Sequence, residues 1–326
     1  MLGRLIALMK KPEVSVVIVN YNGKHLLKDA LDSVRNLKFK GIFGTMVVDN
    51  NSSDGSADFI KKNYKGVRVV KNPFNLGYSG INSALRCCKG SFILFLNNDI
   101  KIDKLCLEKL YAAIKDVNVA MAVPRLINYY DSNLKSCGTW VSRSFYCGHI
   151  GSSQLIKEVP YLGVGLVRKE IADKFGYLFD SDYFIYGEDL DLGMRIRLLG
   201  MKTILVEDAV LLHMHSATMQ KVTTARKVFL MERNLLITFF KTLSFKNIIL
   251  FLPYAVAVRL FASAKDIVSL RFSSGFARIK AILWIISNFK IVASKRNQTQ
   301  ILRKAPDRFI LKIFSEKNLF RKKFIV

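Results

Sequence analysis

Three short uncharged runs, Val14–Asn20 (VSVVIVN), Phe43–Val48 (FGTMVV) and Phe92–Leu96 (FILFL), constrain this chain more than any other feature. Each is rich in β-branched or aromatic residues and too short for a core helix, the pattern of a strand buried on both faces. Lys24 to Leu37 carries apolar residues at helical spacing between the first two runs. Strand, helix and strand with both sheet faces covered predict an α/β fold, Rossmann-like, with a mostly parallel sheet flanked by helices. Such a sheet holds its ligand in the crevice beyond the carboxyl ends of its strands. All three runs end in polar clusters: Asn20-Tyr21-Asn22-Gly23, Asp49-Asn50-Asn51-Ser52-Ser53-Asp54-Gly55 and Asn97-Asn98-Asp99.

The third cluster carries the most chemistry. A carboxylate at Asp99 beside two amides suits a divalent cation bridging a diphosphate, because magnesium and manganese prefer hard oxygen ligands and the phosphates complete the shell. Asn and Asp also favour turns and caps, so the same residues suit the entry to a helix over Asp103–Asp116. Ser53 or Asp54 can cap a helix from Ser56 to Asn63, and Val67–Val70 reads as a short strand. Asn72 to Asn82 (NPFNLGYSGIN) is a turn-rich loop running into a helix that ends at Cys88. Its Gly77 and Gly80 either let a ligand approach the backbone or serve only the turn. Strands are expected at Val119–Pro124 and Tyr161–Arg168, a short helix at Lys169–Phe175, and an irregular acceptor-side loop over Asn128–Ser153.

A second constellation is Tyr183-Phe184-Ile185-Tyr186-Gly187-Glu188-Asp189-Leu190-Asp191, leading into an amphipathic helix closed by Gly200. Carboxylates at a helix start are favoured by the macrodipole, and Asp191 is assigned to that structural role. A carboxylate held beside Phe184 and Tyr186 has the raised basicity of a general base. Further on, Lys202–Val206 reads as a strand. His213 and His215 then alternate on an extended segment, so both point to one side, as metal ligands or as ordinary polar groups.

The charge of +26, from 51 Lys+Arg against 25 Asp+Glu, is unevenly placed. Residues 219–326 hold 22 basic and 4 acidic side chains among helical apolar stretches, which points to an anionic surface, either membrane or nucleic acid. Asn247–Ala264 has about the length of a membrane span, but Pro253 and Arg259 interrupt it, and a central Arg costs about 2.5–3.5 kcal/mol to insert. The expectation is therefore a domain over 1–218 and a basic helical extension over 219–326 that lies on an anionic membrane surface. Because the charge excess lies outside the motif-bearing region, nucleic acid is not expected as a partner. The five cysteines show no metal-ligand spacing and read as thiols of a reducing compartment. Met1–Lys11 lacks the features of a secretory signal and suits a short interfacial helix. Together these place the protein in the cytoplasm, peripheral on the inner face of the cell membrane.

VSVVIVNYNG, VVDNNSSDGS, NPFNLGYSGIN, FILFLNND, YLGVGLVRKE and YFIYGEDLDLGMRIRLLG, in this order over Val14–Thr218, resemble the inverting family 2 glycosyltransferases of GT-A fold, rhamnosyltransferase-like members above all. The resemblance implies transfer of a sugar from a nucleotide-diphosphate sugar to a hydroxyl of a lipid-linked or glycan acceptor in surface polysaccharide assembly, with Mn2+ or Mg2+ as cofactor. It implies that Glu188-Asp189 supplies the catalytic base, with Asp189 as the proton acceptor. It gives Asp49 to the nucleotide base, Asp99 to the metal, and His213, with Ser216 and Thr218 behind it, to completion of the metal site. The expected nucleotide-sugar residues are Asn20, Tyr21, Asn22, Asp49, Asn51, Asn75, Gly77, Asn82, Asn97 and Asn98. Asn97 stands where a full Asp-x-Asp would have its first aspartate. Two readings compete. A sugar-nucleotide pyrophosphorylase normally has a glycine-rich basic loop where Asn20-Tyr21-Asn22-Gly23 stands, and a basic nucleic-acid-binding protein rests on charge alone.

Overall fold

The computed structural model of the chain describes residues 12–130, 134–136, 138–150, 157–214 and 224–315. Met1–Lys11, Cys137, His215, Ser216 and Thr218 lie outside them. The chain forms two compact units, the first of Met1–Lys135, Val164–Ser181 and Ile204–Ser216, the second of Ser136–Gly163, Asp182–Thr203 and Ala217–Val326. The units do not divide at 218/219. The helices beyond residue 219 share their unit with two earlier segments, because those segments supply its aromatic core.

The chain opens with β1 (Val14–Asn20), α1 (Lys24–Arg35), β2 (Phe43–Asp49), α2 (Ser56–Asn63) and β3 (Val67–Lys71). A 3₁₀ segment over Gly77–Cys87 precedes β4 (Phe92–Asn97), β5 (Ile100–Ile102), α3 (Cys106–Ala113), β6 (Val119–Asn128) and β7 (Leu134–Ser136). The second unit takes β8 (Thr139–Val141) and β9 (Cys147–His149), and the first unit β10 (Gly165–Arg168) and α4 (Lys169–Phe175). Then follow α5 (Glu188–Leu198), β11 (Lys202–His213), α6 (Thr224–Thr242), α7 (Phe245–Val268), α8 (Phe272–Ser287), α9 (Phe289–Gln300) and α10 (Asp307–Leu311).

The main sheet is mixed, with strand order β3-β2-β1-β4-β10-β6-β11-β5 and β7 on β6. β1 pairs in parallel with β2 and β4, and β2 with β3, which puts the run buried on both faces at the centre of a parallel core. β10 runs antiparallel to β4 and β6, a direction that an apolar run alone does not encode. The strand ends are in register. Asn20 lies opposite Asp49 and Val19 opposite Asn97, so the polar clusters line one edge of the sheet.

Three local expectations change. The segment Gly77–Cys87 is 3₁₀ because its Ser and Asn side chains bond to backbone: Ser79 Oγ donates to the Leu76 carbonyl at 2.8 Å. α3 starts only at Cys106, since Ile100–Ile102 pairs as a strand with β11 and Asp103 accepts from the Leu105 amide. Lys202–His213 is one continuous strand.

In the second unit the described part of Asn128–Ser153 is no surface loop. β8 and β9 pair antiparallel, and Trp140, Phe145 and Tyr146 are buried with Tyr161, Leu190 and Phe239. Phe145 meets the Phe239 ring edge-on at 5.2 Å. Apolar side chains that look loop-like in sequence find their cover on a helix far downstream. Arg259, expected to interrupt an apolar helix at a membrane, instead points inward. It is fully buried, its Nε 3.0 Å from Glu232 and its Nη1 donating to the Ser144 carbonyl at 2.8 Å. Glu232 also accepts from the Tyr146 hydroxyl at 2.6 Å and pairs with Arg278.

Candidate active site

In the first unit the ends of β1, β2 and β4 present a fixed array of amides. Asn20 donates to Asp49 Oδ1 at 3.1 Å and accepts from Asn98 Nδ2 at 2.8 Å. Asp49 Oδ2 accepts from the Ser52 amide at 3.1 Å. Asn22 and Asn51, at φ 49° and 63°, adopt the left-handed conformation that Asn tolerates, turning the chain after each strand. Asn22 Oδ1 accepts from the Ser53 amide at 2.8 Å, and Ser52 Oγ accepts from the Asn22 amide at 2.9 Å. Tyr21 beside it is half-buried.

The glycine-bearing loop closes on the same edge. Asn75 accepts from the Gly77 amide at 2.9 Å, Asn50 donates to the Gly77 carbonyl at 2.8 Å, and Asn72 donates to Asn50 at 2.8 Å. A Cβ at Gly80 would stand 2.2 Å from Asn50 Oδ1, so only glycine fits there. Tyr78 donates its hydroxyl to Asn97. Asn82 has a different task. It donates to the Phe179 carbonyl at 2.6 Å and accepts from the Leu178 amide at 2.9 Å, pinning α4's exit.

Asp99 is nearly buried, and its Oδ2 lies 3.4 Å from His213 Nε2. The antiparallel pairing of β5 with β11 sets this meeting, with His213 opposite Ile100 and the Met214 amide donating to the Asp99 carbonyl at 2.8 Å. One carboxylate and one imidazole, with the other positions left for phosphate oxygens, make a donor set that fits manganese or magnesium. No group of three or more such ligands occurs among the described residues.

The second unit carries Glu188 and Asp189 at the start of α5. The approach is tightly turned: Phe184, Tyr186 and Gly187 all have positive φ, at 60°, 68° and 84°. Two non-glycine residues in this region cost energy that the surroundings must supply. Asn234, buried on α6, does so by directing its side-chain amide at the carbonyls of Tyr183, Ile185 and Tyr186, at 3.0, 3.1 and 2.6 Å. Beneath the turn Asp191 has the structural role expected of it, bound by Arg195 and Lys241 at 2.7 Å each and by the Tyr183 hydroxyl at 3.2 Å.

Environment separates the two candidate bases. Glu188 is buried, and burial together with the charge of Asp189 raises its carboxyl well above the ordinary range. Asp189 is half-buried. Burial pushes it up to about 6, against the lowering effect of the Leu190 amide, which donates to Oδ1 at 2.8 Å. The macrodipole at the helix start is too weak to reverse this. Asp189 is thus ionised near neutrality yet more basic than a surface carboxylate, as a general base should be.

Ser52, Tyr78, Asn50, Asn72 and Asn234 escape sequence reasoning as individual residues. The first four sit inside the polar motifs. Asn234 is a lone amide within VFLMERNLLITFF, and an uncharged polar residue in an apolar helical run is the available signal.

Residues 15–153 match the profile of the family described as Glycosyl transferase family 2. The chain is 24% identical over 230 residues to the O-antigen biosynthesis protein RfbC of Myxococcus xanthus, covering 64% of this chain and 18% of that protein. It is 30% identical over 93 residues to the GalNAc(5)-diNAcBac-PP-undecaprenol beta-1,3-glucosyltransferase of Campylobacter jejuni, covering 27% of this chain and 30% of that one. The chain thus spans well under half the length of these relatives. Among solved structures it resembles GalNAc-T7 with UDP, GalNAc and Mn2+, at a TM-score of 0.57 and 18% identity, over 71% of this chain and 48% of that one. Strand order and structural likeness agree on a GT-A-like fold, and within it residues 15–153 match the glycosyl transferase family 2 profile.

Proposed function

We propose that the protein is an inverting glycosyltransferase, moving a hexosyl or deoxyhexosyl group from a nucleotide-diphosphate sugar to a hydroxyl of a lipid-linked or glycan acceptor in surface polysaccharide assembly. The observation that carries the reading is the pair Glu188–Asp189 at the start of α5, set there by the left-handed turn that Asn234 braces, where burial raises Glu188 well above the ordinary range and Asp189 to about 6. Asp189 takes the proton of the acceptor hydroxyl as its oxygen attacks the anomeric carbon. The bond to the diphosphate breaks in the same in-line step, and the configuration inverts.

Asn20, Asn22, Asp49, Asn51 and Asn75, with Gly77, Asn97 and Asn98, orient the nucleotide and its sugar on the edge of the sheet. Asn82 acts through the backbone it holds. A divalent cation held by Asp99 and His213 would supply neutralisation of the charge building on the departing diphosphate. The lipid-linked acceptor agrees with the name of the Campylobacter jejuni relative and with a cytoplasmic position on the anionic inner face of the cell membrane. Nucleic acid is not a partner in this reading.

The test is nucleoside diphosphate release from uridine-, thymidine- and guanosine-diphosphate sugars, with manganese and extracted lipid acceptors. Product linkage then reports inversion. Release with none of them, together with pyrophosphate formation from a sugar 1-phosphate and a nucleoside triphosphate, would replace this reading by a pyrophosphorylase.

A further inference from the structure

Helix α7 has two faces of opposite character. Ile248, Ala255, Arg259, Ser263 and Asp266 recur at helical spacing and are buried in the second unit. Arg259 pairs with Glu232, Ser263 Oγ donates to the Gly275 carbonyl at 2.9 Å, and Asp266 pairs with Arg271 at 2.6 Å and Arg278 at 2.9 Å. The opposite strip runs from Ile249 to Ala264 and holds no charge: Ile249, Leu250, Ala257, Leu260 and Phe261 are exposed, Phe261 by 73%. Exposed lysines, Lys246 and Lys265, stand at its two ends. At 1.5 Å per residue the strip is about 22 Å long. The neighbouring α8, packed along α7, adds exposed Phe272 and Phe276.

We infer that α7 lies flat in the interfacial layer of an anionic bilayer, with the Ile249–Ala264 strip immersed and Lys246 and Lys265 among the lipid phosphates. This rests on the membrane reading above and gives it a surface. Among the described residues α7 is the one helix long and apolar enough to cross a membrane, at a mean hydropathy of 1.7, and only 22% of that window is buried. Crossing would strip Arg259 and Asp266 of their partners and set both charges in hydrocarbon. Lying flat keeps every inner ion pair and immerses only uncharged side chains. Charge selects the occupant. Residues 219–326 carry 22 basic against 4 acidic side chains, so an identical face brought up by a second copy is repelled while an anionic lipid surface is attracted.

Flotation of the full chain with vesicles of equal parts phosphatidylglycerol and phosphatidylcholine tests this. The chain should float at low salt and only partly dissociate at high salt, and it should not float with phosphatidylcholine alone. Leu250→Asp with Phe261→Asp should abolish flotation, while Lys246→Gln and Lys265→Gln should each lower partitioning about fivefold at low salt. These side chains are exposed, so circular dichroism and melting should match the parent. In Phe261→Trp, the emission at position 261 should shift to the blue with vesicles, and bromines near the headgroups should quench it more than bromines at the bilayer centre. The inference is overturned if the parent chain stays unbound, or if the double aspartate variant still floats. Stronger quenching from the bilayer centre overturns it as well, as does a lipid-free dimer that the double aspartate variant dissociates. Failure of sugar transfer with flotation intact would refute the proposed reaction alone. Loss of flotation with transfer to a water-soluble acceptor intact would refute this surface alone.

Discussion

The side-chain amide of Asn234 stands 2.6 Å from the carbonyl oxygen of Tyr186 and shares its two N–H groups with the carbonyls of Tyr183 and Ile185. One residue of α6 therefore holds the left-handed turn that delivers Glu188 and Asp189. Asn234→Ala should lower kcat by about 10²-fold through misplacement of the base. It should leave the donor KM nearly unchanged, because the nucleotide residues proposed above belong to the first unit. Unfolding free energy should fall by about 1–3 kcal/mol as buried carbonyls lose their donor. A rise in donor KM with kcat preserved would show that Asn234 does not act through the turn.

The basicity of Asp189 gives a pH signature. A base must be ionised to accept a proton, so kcat/KM should fall about tenfold per pH unit below about 6 and level off above it. Asp189→Asn should fold normally and lose about 10²–10⁴-fold in rate. A profile flat from pH 5 to 8, or normal turnover by this variant, would remove Asp189 from the role.

Glu188 has the complementary signature, in stability. Its folded pKa lies above the unfolded value, so its contribution is fully present below the ordinary carboxylate range and is lost as pH rises through the raised value. Glu188→Gln should therefore raise the melting temperature at neutral pH and leave it unchanged under acid conditions. The same difference in melting between variant and parent at both pH values would show that the Glu188 carboxyl is not raised on folding.

Much of this site is legible in the sequence wherever a pattern is local. The bounds of β1 and α2 follow from apolar runs and turn residues, and Asn20, Asp49 and Asn97 become neighbours once those runs are strands of one parallel core. What depends on partners far along the chain is not legible. An apolar run has no direction, so the antiparallel β10 is invisible, as is the β5–β11 register that brings His213 to Asp99. Trp140 and Phe145 look like loop residues because their cover is on α6, and Arg259 looks like a flaw in an apolar helix because Glu232 is on another one.

The Asp99–His213 pair predicts a graded response to metal. Manganese titrated into the chain with a nucleoside diphosphate, followed by calorimetry, should bind in the parent, weaken in His213→Ala and be lost in Asp99→Ala. Chelation should abolish transfer, and manganese or magnesium should restore it. Undiminished transfer in excess chelator would remove metal from the reaction.

Helix α6 also decides where the chain can be cut. If the helices beyond Thr218 were only an attachment device, ending the chain there would leave a complete catalytic domain. The second unit argues otherwise, since α6 supplies Asn234 to the base turn and Lys241 to Asp191, both fully buried. Removing Lys241 leaves Arg195 as the remaining cation of a buried ion cluster, and breaking such a cluster costs about 3–5 kcal/mol. The cut also uncovers Phe145, which meets Phe239 of α6. A chain ending at Thr218 should therefore lose cooperative melting of residues 136–163 and 182–203, seen as rapid proteolysis within them, while the parallel core of the first unit stays protected from hydrogen exchange. A chain ending after Ser315 should keep both units, since Phe314 meets the Phe145 ring and the Ser315 amide donates to the Val141 carbonyl. Protease resistance of Tyr183–Leu198 in the shorter chain would show that the base segment stands without α6.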